Sequence, residues 1–339
     1  MTRFITKMLF YYLPFICIYG FYEFKVKKNI SGDLGVLGQI QFGKDYNENL
    51  KQNYLINNFV KDTFVFSNEN FFPSKNKNIF TIGDSYSRQG IFGYQNYLAH
   101  ILGDSIININ NLQGYSPFET AISLLNSNII NESNCQTLIL QFVDRHAILW
   151  LKNINFDMLY RFPQTAEKQS NNSNNSELFR FISWIRLQFG YDRPYRKFNL
   201  KYDCFSHHYY TQTCFTYIDD FDFKKTKLED IEKAKENLIL LSKKFSEKGI
   251  NILFLIGADK YDVYRPFMTD DSLPVDTTTD ELSDLPNVRI INTKWLLQEM
   301  VQNGEKDVFM VNDSHWSYKA SEAVAKKIVG VIDSLEIFK

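Results

Sequence analysis

The sequence predicts an α/β fold in which helices cover both faces of a parallel central sheet. Short apolar runs without polar alternation recur along the chain, as is typical of parallel strands buried on both faces. Segments with helical periodicity separate these runs, and regular alternation of strand and helix indicates a three-layer α/β/α sandwich. The predicted strands are 79–83, 105–110, 137–143, 251–257 and 288–293.

The helical segments follow the same order along the chain. The clearest is 227–249, which carries acidic residues early and lysines late and stops at Gly249, in keeping with the helix dipole and with glycine as a helix terminator. The other predicted helices are 88–102, 117–129, 293–304 and a last helix that follows Ser317.

Length and charge limit the function classes. The chain has 339 residues, 38 of them basic and 39 acidic, and this balance argues against a nucleic-acid-binding protein. Residues 29–75 are predicted to be a polar connector, and 76–339 a single domain with an insertion at 150–222. The insertion contains the polar run QSNNSNNSE and then a helical segment. It is expected to form either a substrate wall or lid, or a surface elaboration without a role.

The first 28 residues predict a membrane anchor. Residues 8–24 are almost entirely apolar or aromatic, and basic residues flank them on both sides. A spanning helix needs about 17–25 such residues, and no signal-peptidase site follows; the alternative is a buried core helix. The flanking charges weakly favour a cytoplasmic main domain.

Four cysteines are present, two of which flank a Tyr/His-rich stretch. Cys204 and Cys214 are ten positions apart, so a disulfide between them is plausible in an oxidising compartment. The spacing is equally compatible with coincidence. The histidines and cysteines show no zinc-binding spacing, and neither a metal nor a cofactor is expected.

Ser85 is the candidate nucleophile. It follows the run IFTIG and the polar Asp84, so it is expected where a buried strand gives way to a helix. Unpaired amides at a helix start can stabilise an oxyanion, and a serine there can act on an ester if a base is near. The alternative is that Ser85 only caps the helix.

His315 is the candidate base and Asp313 the residue that orients it. Residues two apart in an extended segment point the same way, so Asp313 can hold the imidazole in the tautomer that accepts a proton from Ser85. In the alternative, Asp313 and Ser317 are turn and cap residues and His315 is a packing residue. Ser85 and His315 are both expected at the carboxyl edge of the sheet, where open α/β folds place their sites.

These motifs resemble the SGNH-hydrolase superfamily. Gly83-Asp84-Ser85, the late Asp313-Ser314-His315-Trp316 and the segment GADKYDVYRP at 257–266 are most similar to its acetyltransferase-like branch, which includes the alginate O-acetylation proteins. The resemblance covers about residues 76–335, apart from the insertion. It implies an SGNH/flavodoxin-like sandwich and substrate contact by Lys260 and Tyr264.

The resemblance also suggests oxyanion donors. The superfamily's glycine corresponds to Gly114, although Gly114 can equally be a turn glycine. Its asparagine after the third strand is missing from FVDRHAI, where Arg145 or a backbone amide is the substitute; Arg145 can instead form an ion pair with Asp144. In the alginate proteins Asp-x-His-Trp precedes the serine, whereas here the serine comes first.

The function implied is a membrane-anchored serine O-acyltransferase, with acetyl as the expected group and an extracytoplasmic polysaccharide as the substrate. A multi-spanning membrane protein would supply the acyl donor, and the catalytic domain would face outward, periplasmic in a Gram-negative cell. An esterase that uses water as acceptor is one alternative. A non-catalytic glycan-binding protein on the same fold is another.

Overall fold

A computed structural model shows a parallel sheet with helices on both faces. The sheet has six strands in the order β1-β3-β2-β4-β7-β8, and every neighbouring pair is parallel. The strands are β1 (Val60–Thr63), β2 (Ile79–Gly83), β3 (Ile106–Asn110), β4 (Thr137–Val143), β7 (Asn251–Gly257) and β8 (Ile290–Asn292). The structure describes residues 2–26, 60–63, 79–89, 93–103, 106–111, 114–160, 181–182, 185–186, 189, 195–206, 210–217, 226–311 and 313–336.

Eight α-helices are present among the described residues. They are α1 (Thr2–Phe21), α2 (Tyr94–Leu102), α3 (Pro117–Asn126), α4 (Ala147–Lys152), α5 (Leu228–Ser246), α6 (Lys260–Tyr264), α7 (Thr293–Gln302) and α8 (Tyr318–Glu336). All five predicted strands and all five predicted helices are present, with ends shifted by up to three residues, except that α2 begins six residues later than predicted. β1, α4 and α6 were not predicted.

Alternate strand residues enter two separate cores, which explains the continuous apolar runs. Ile79 of β2 packs with α2, α7 and α8 on one face, whereas Phe80 packs with α3, α4 and α5 on the other. Every residue of β2 and β4 is buried. A strand covered on both sides has no polar face, so its sequence cannot alternate.

The insertion contains a hairpin that the sequence did not predict. β5 (Tyr195–Asn199) and β6 (Thr213–Tyr217) pair antiparallel, with Phe198 opposite Cys214. Residues 181–182 and 185–186 are helical, in the segment where a helix was expected. The polar run at 169–177 and most of the 29–75 connector lie outside the described residues.

The disulfide that the spacing of Cys204 and Cys214 allowed is not formed. Cys204 and Cys214 are both free, buried thiols that pack in the core on the α2, α7 and α8 side of the sheet. Burial raises the pKa of Cys204 to about 11. The two cysteines therefore behave as small apolar residues of this core.

Helix α1 occupies most of the segment predicted as a membrane anchor. Its large side chains are exposed, among them Phe10, Tyr11 and Phe15, and Tyr19 makes an edge contact with Phe181 at a centroid distance of 5.2 Å. Within the described part of the chain, no helix has both the length and the apolar character needed to cross a bilayer.

The strand order defines where a site is expected. The chain runs from β2 outward to β3 and then returns past β2 to β4, so the direction of winding reverses between β2 and β4. At such a reversal the loops after the two strands separate and leave a crevice at the carboxyl edge. Asp84 and Ser85 follow β2 at this edge, and Asp144 and Arg145 follow β4.

Candidate functional site

Ser85 opens a short 3₁₀ helix directly after β2. This turn, Ser85–Arg88, is capped by Asp84, whose Oδ1 accepts from the Tyr86 amide at 3.0 Å. Asp84 Oδ2 also accepts from the Val143 amide at 2.6 Å, which ties the turn to the end of β4. Burial raises the pKa of the Asp84 carboxyl. The cap is therefore Asp84 and not Ser85, whose half-buried side chain is left for another role.

A buried polar network supports the turn from below. Gln141 of β4 accepts from the Asp84 amide at 3.1 Å and from Ser87 Oγ at 3.0 Å, both through Oε1. The Ser87 carbonyl accepts from Gln95 Nε2 at 3.0 Å and from Asn108 Nδ2 at 3.1 Å. Buried hydrogen bonds of this kind rigidify the segments that they join, so the residues on both sides of Ser85 are fixed to β4, β3 and α2.

Gly83 is required by the closeness of this network. A Cβ at this position would lie 2.1 Å from Ser87 Oγ and 2.5 Å from Gln141 Oε1. Both distances are far below van der Waals contact, so a larger residue would displace the turn. The glycine in Gly-Asp-Ser is thus explained by space rather than by an unusual backbone angle.

Asp313 and His315 form a close pair. Asp313 Oδ1 lies 2.5 Å from His315 Nδ1 and also accepts from the His315 amide at 2.9 Å. Both side chains keep limited solvent access, 14% for Asp313 and 21% for His315. Because a carboxylate can only accept, the neutral imidazole carries its proton on Nδ1, and Nε2 is then the unprotonated ring nitrogen.

Ser317 caps the last helix, as expected from the sequence. Its Oγ accepts from the Lys319 amide at 3.2 Å, and its own amide donates to the Val308 carbonyl at 3.0 Å. The capping role therefore belongs to Ser317, while Asp313 is bonded to the histidine. The loop that carries the pair is anchored at the start of α8.

Tyr86 connects the two motifs. Its ring lies 5.1 Å from the His315 imidazole and 4.6 Å from the Trp316 indole, centroid to centroid. Its hydroxyl lies 3.0 Å from the Ser314 carbonyl, to which it donates. The residue that follows Ser85 is therefore in contact with the residues on both sides of His315 in the chain, so the Ser85–Arg88 turn and the Asp313–His315 pair adjoin each other.

Lys260 and Tyr264 do not face a substrate site, which corrects the expectation that they bind one. Both are fully buried. Lys260 Nζ donates to the carbonyls of residues 310, 311 and 313, at 2.7, 3.0 and 3.1 Å. The Tyr264 hydroxyl accepts from the Phe309 amide at 3.2 Å. Both side chains instead hold the backbone of the loop that leads to His315.

The structure gives the two predicted oxyanion residues, Gly114 and Arg145, different surroundings. Gly114 is exposed and has a φ of +80°, the left-handed conformation of a turn glycine. Arg145 forms an ion pair with Asp259 through Nη1, and its amide donates to Asp259 Oδ2 at 3.2 Å. Arg145 therefore forms an ion pair, as the alternative prediction had it, but its partner is Asp259 and not Asp144.

A group of buried carboxyls lies beyond Arg145, after β4 and β7. Burial, reinforced by neighbouring carboxyls, raises the pKa of Asp144 and of Asp262 well above the ordinary value, and burial also raises that of Asp259. Lys294 pairs with Asp280 at 2.8 Å nearby. Across the described residues, no set of three or more His, Cys, Asp or Glu side chains has the geometry to hold a metal ion.

One cavity lies away from these residues. It has a volume of about 390 Å³ and is lined by Ser242, Lys243 and residues 286–289, near the amino end of β7. None of the predicted site residues lines it.

Gln141, Tyr86 and Asp259 were missed as parts of the site. Gln141 had a recognisable signal, because a lone amide inside the apolar strand TLILQFV must find a buried partner. Tyr86 and Asp259 gave no such signal, since a tyrosine and an aspartate after a strand are common in turns.

No family model matches this chain, and no curated protein matches it significantly. The SGNH-hydrolase resemblance therefore remains a prediction from the motifs, and what the structure adds to it is the geometry of the site.

Proposed function

We propose that the chain is a serine O-acyltransferase in which Ser85 is the nucleophile, His315 the general base and Asp313 its orienting carboxylate. One observation carries the proposal. The Asp313–His315 pair, 2.5 Å between Nδ1 and Oδ1, lies against Tyr86, the neighbour of Ser85, at the carboxyl edge of β2. The sequence separates these groups by more than two hundred residues, so a chance meeting at the expected edge is a weak explanation.

The proposed reaction has two halves. His315 Nε2 takes the proton of Ser85 Oγ as this oxygen attacks the acyl carbonyl, and amides at the start of the turn stabilise the oxyanion. The Tyr86 amide is already bonded to Asp84, so the Ser85 amide and Gly114 are the proposed donors. The imidazolium protonates the leaving group, and an acyl-serine remains. An acceptor hydroxyl then loses its proton to His315 as it attacks the acyl carbonyl, and the imidazolium returns this proton to Ser85 Oγ as the acyl–serine bond breaks.

The finer parts of the proposal rest on the sequence. The acetyl group, the extracytoplasmic polysaccharide, the separate membrane protein that supplies the donor and anchoring through residues 8–24 all follow from the resemblance of the motifs and from the apolar N-terminal segment. An esterase differs only in accepting water at the second step, so the same triad serves both.

The test uses the full chain in detergent with an activated acetyl ester. Intact mass and released alcohol are recorded for the parent, for Ser85→Ala and for Ser272→Ala, a control at an exposed serine. We expect a transient mass gain of one acetyl group in the parent and in the control, and none in Ser85→Ala. Equal adducts in all three proteins would refute Ser85 as the nucleophile.

The acceptor is determined in a second step. Oligosaccharides with free hydroxyls are added to the acetylated protein, and the products are separated by mass. Acetylated sugar identifies a transferase, whereas acetate alone in the presence of every sugar identifies an esterase.

A further inference from the structure

Lys260 is a buried lysine whose ammonium is held by main-chain carbonyls. An ammonium has three N–H donors, and Lys260 Nζ donates to three carbonyls, those of residues 310, 311 and 313. The Phe205 ring lies 5.3 Å from Nζ and adds a cation–π contact. Burying an ammonium is costly unless its hydrogen bonds are satisfied, so these contacts are what allow the charge to remain inside.

All three carbonyls belong to the segment that leads into Asp313 and His315. The Asp313 carbonyl is held by Lys260, while the Asp313 carboxylate is held by His315. On the other side, the Ser314 carbonyl accepts from the Tyr86 hydroxyl. Two consecutive peptide groups of the loop are therefore held by different elements, one by α6 after β7 and one by the turn after β2.

We propose that Lys260 is a positioning residue for the Asp313–His315 pair. It acts through the backbone, by fixing the peptide groups of the loop so that the imidazole stays in line with the turn that carries Ser85. This proposal rests on the proposed function for its catalytic consequence, but the positioning itself does not require the chain to be an enzyme.

The contacts of Lys260 allow an estimate of how much its removal slows the acylation of Ser85. Without Lys260 the three carbonyls lose a charged donor, and hydrogen bonds to charged groups are stronger than neutral ones. The loop is then free to move relative to β2, and a misplacement on the order of 1 Å lowers a rate by about 10²-fold. We expect acylation of Ser85 to slow by about that factor, with the KM for the ester unchanged within about twofold, because Lys260 does not touch substrate.

The test compares Lys260→Met with Lys294→Met in the full chain. Lys294 is the matched control, since it is also a buried lysine that holds a loop, through the Asp276 carbonyl at 2.6 Å and the Asp280 carboxylate at 2.8 Å. Both substitutions remove a buried charge and are expected to lower stability. Only Lys260→Met is expected to disturb the pair, so all measurements are made where both variants are fully folded.

Two readouts are taken. The first is the far-downfield proton resonance of the His315 Nδ1–H bonded to Asp313, assigned by its absence in His315→Gln. The second is the rate of acetyl-enzyme formation. We expect Lys260→Met to lose or broaden the resonance and to acylate about 10²-fold more slowly, while Lys294→Met keeps both. Lys260→Gln, which retains a neutral donor, serves as a second variant if the methionine does not fold, and an intermediate effect is expected.

The outcomes separate this inference from the proposed function. A resonance and a rate that survive in Lys260→Met, or in Lys260→Gln if only that variant folds, overturn the positioning role. If Lys260→Met acylates slowly but keeps the resonance unchanged, the positioning role is also overturned, because the Asp313–His315 pair would then be intact. If the parent shows no Ser85-dependent chemistry but Lys260→Met loses the resonance, the positioning role stands and the proposed function is refuted.

Discussion

Replacing Gly83 by alanine tests whether the Ser85–Arg88 turn is as tightly held as the structure indicates. The new Cβ would lie 2.1 Å from Ser87 Oγ, 2.5 Å from Gln141 Oε1 and 2.7 Å from Ser87 Cβ. The Ser87 hydroxyl can rotate and the glutamine can swing aside. The Ser87 Cβ is fixed to the backbone, however, so the turn itself must move.

The expected cost combines two effects. Overpacking a well-filled interior by one methyl group costs about 1–3 kcal/mol. Moving Ser87 away from Gln141 also breaks a buried hydrogen bond of 3.0 Å, which is worth about 1 kcal/mol. We therefore expect the free energy of unfolding to fall by roughly 2–4 kcal/mol, measured by urea denaturation with an unchanged slope.

Gly330→Ala is the matched control. Gly330 lies inside α8, and a Cβ there would meet no atom within 4 Å, so the substitution should stabilise the chain by up to about 1 kcal/mol through helix propensity. Acylation by the folded Gly83→Ala protein should also be slower by about 10²-fold. A Gly83→Ala chain as stable as Gly330→Ala, with unchanged acylation, would refute the argument that this turn has no spare room.

Three further expectations follow from the structure. Asp313→Asn should lower the acylation rate by ~10³–10⁴-fold with little loss of stability, because the amide favours the wrong imidazole tautomer of His315; a rate near that of the parent would argue against the triad. Burial raises the pKa of Asp144, so the unfolded chain ionises first and stability should fall as pH rises above about 4. Asp144→Asn should flatten this dependence between pH 5 and pH 8 in urea unfolding, and an unchanged slope would show that another group is responsible. Alkylation of the denatured, unreduced chain should add four groups, one for each cysteine; a count of two would restore the Cys204–Cys214 bridge.

The parts of the fold that sequence predicts well are those where burial leaves a one-dimensional pattern. β4 and β7 are apolar almost throughout because helices cover both of their faces. β1 has the sequence VKDT and lies at the sheet edge, beside β3 alone. An edge strand is not required to be apolar on both faces, so nothing in its sequence distinguished it from the connector.

The candidate site also contains residues that the sequence singles out and residues whose surroundings only the structure shows. Ser85, Asp313 and His315 were singled out because the proposed roles each demand a particular residue type at a particular place, and the structure brings the Asp313–His315 pair against Tyr86, the neighbour of Ser85. Lys260 was singled out from the sequence but was predicted to contact substrate, since a lysine after a strand is ordinarily exposed. Only the three-dimensional structure shows that its partners are the carbonyls of a loop about fifty positions later.

The contact between Tyr86 and Ser314 spans 228 positions of the chain, and α8, the last helix, packs against α2. Both halves of the site therefore come from opposite ends of the domain. During synthesis the Ser85–Arg88 turn leaves the ribosome long before the proposed base, and contacts of such long range form slowly. If the proposed function is correct, an incomplete chain that ends before residue 313 has the serine but lacks the proposed base, so acylation would begin only after residues 313–315 have been made and folded onto the sheet.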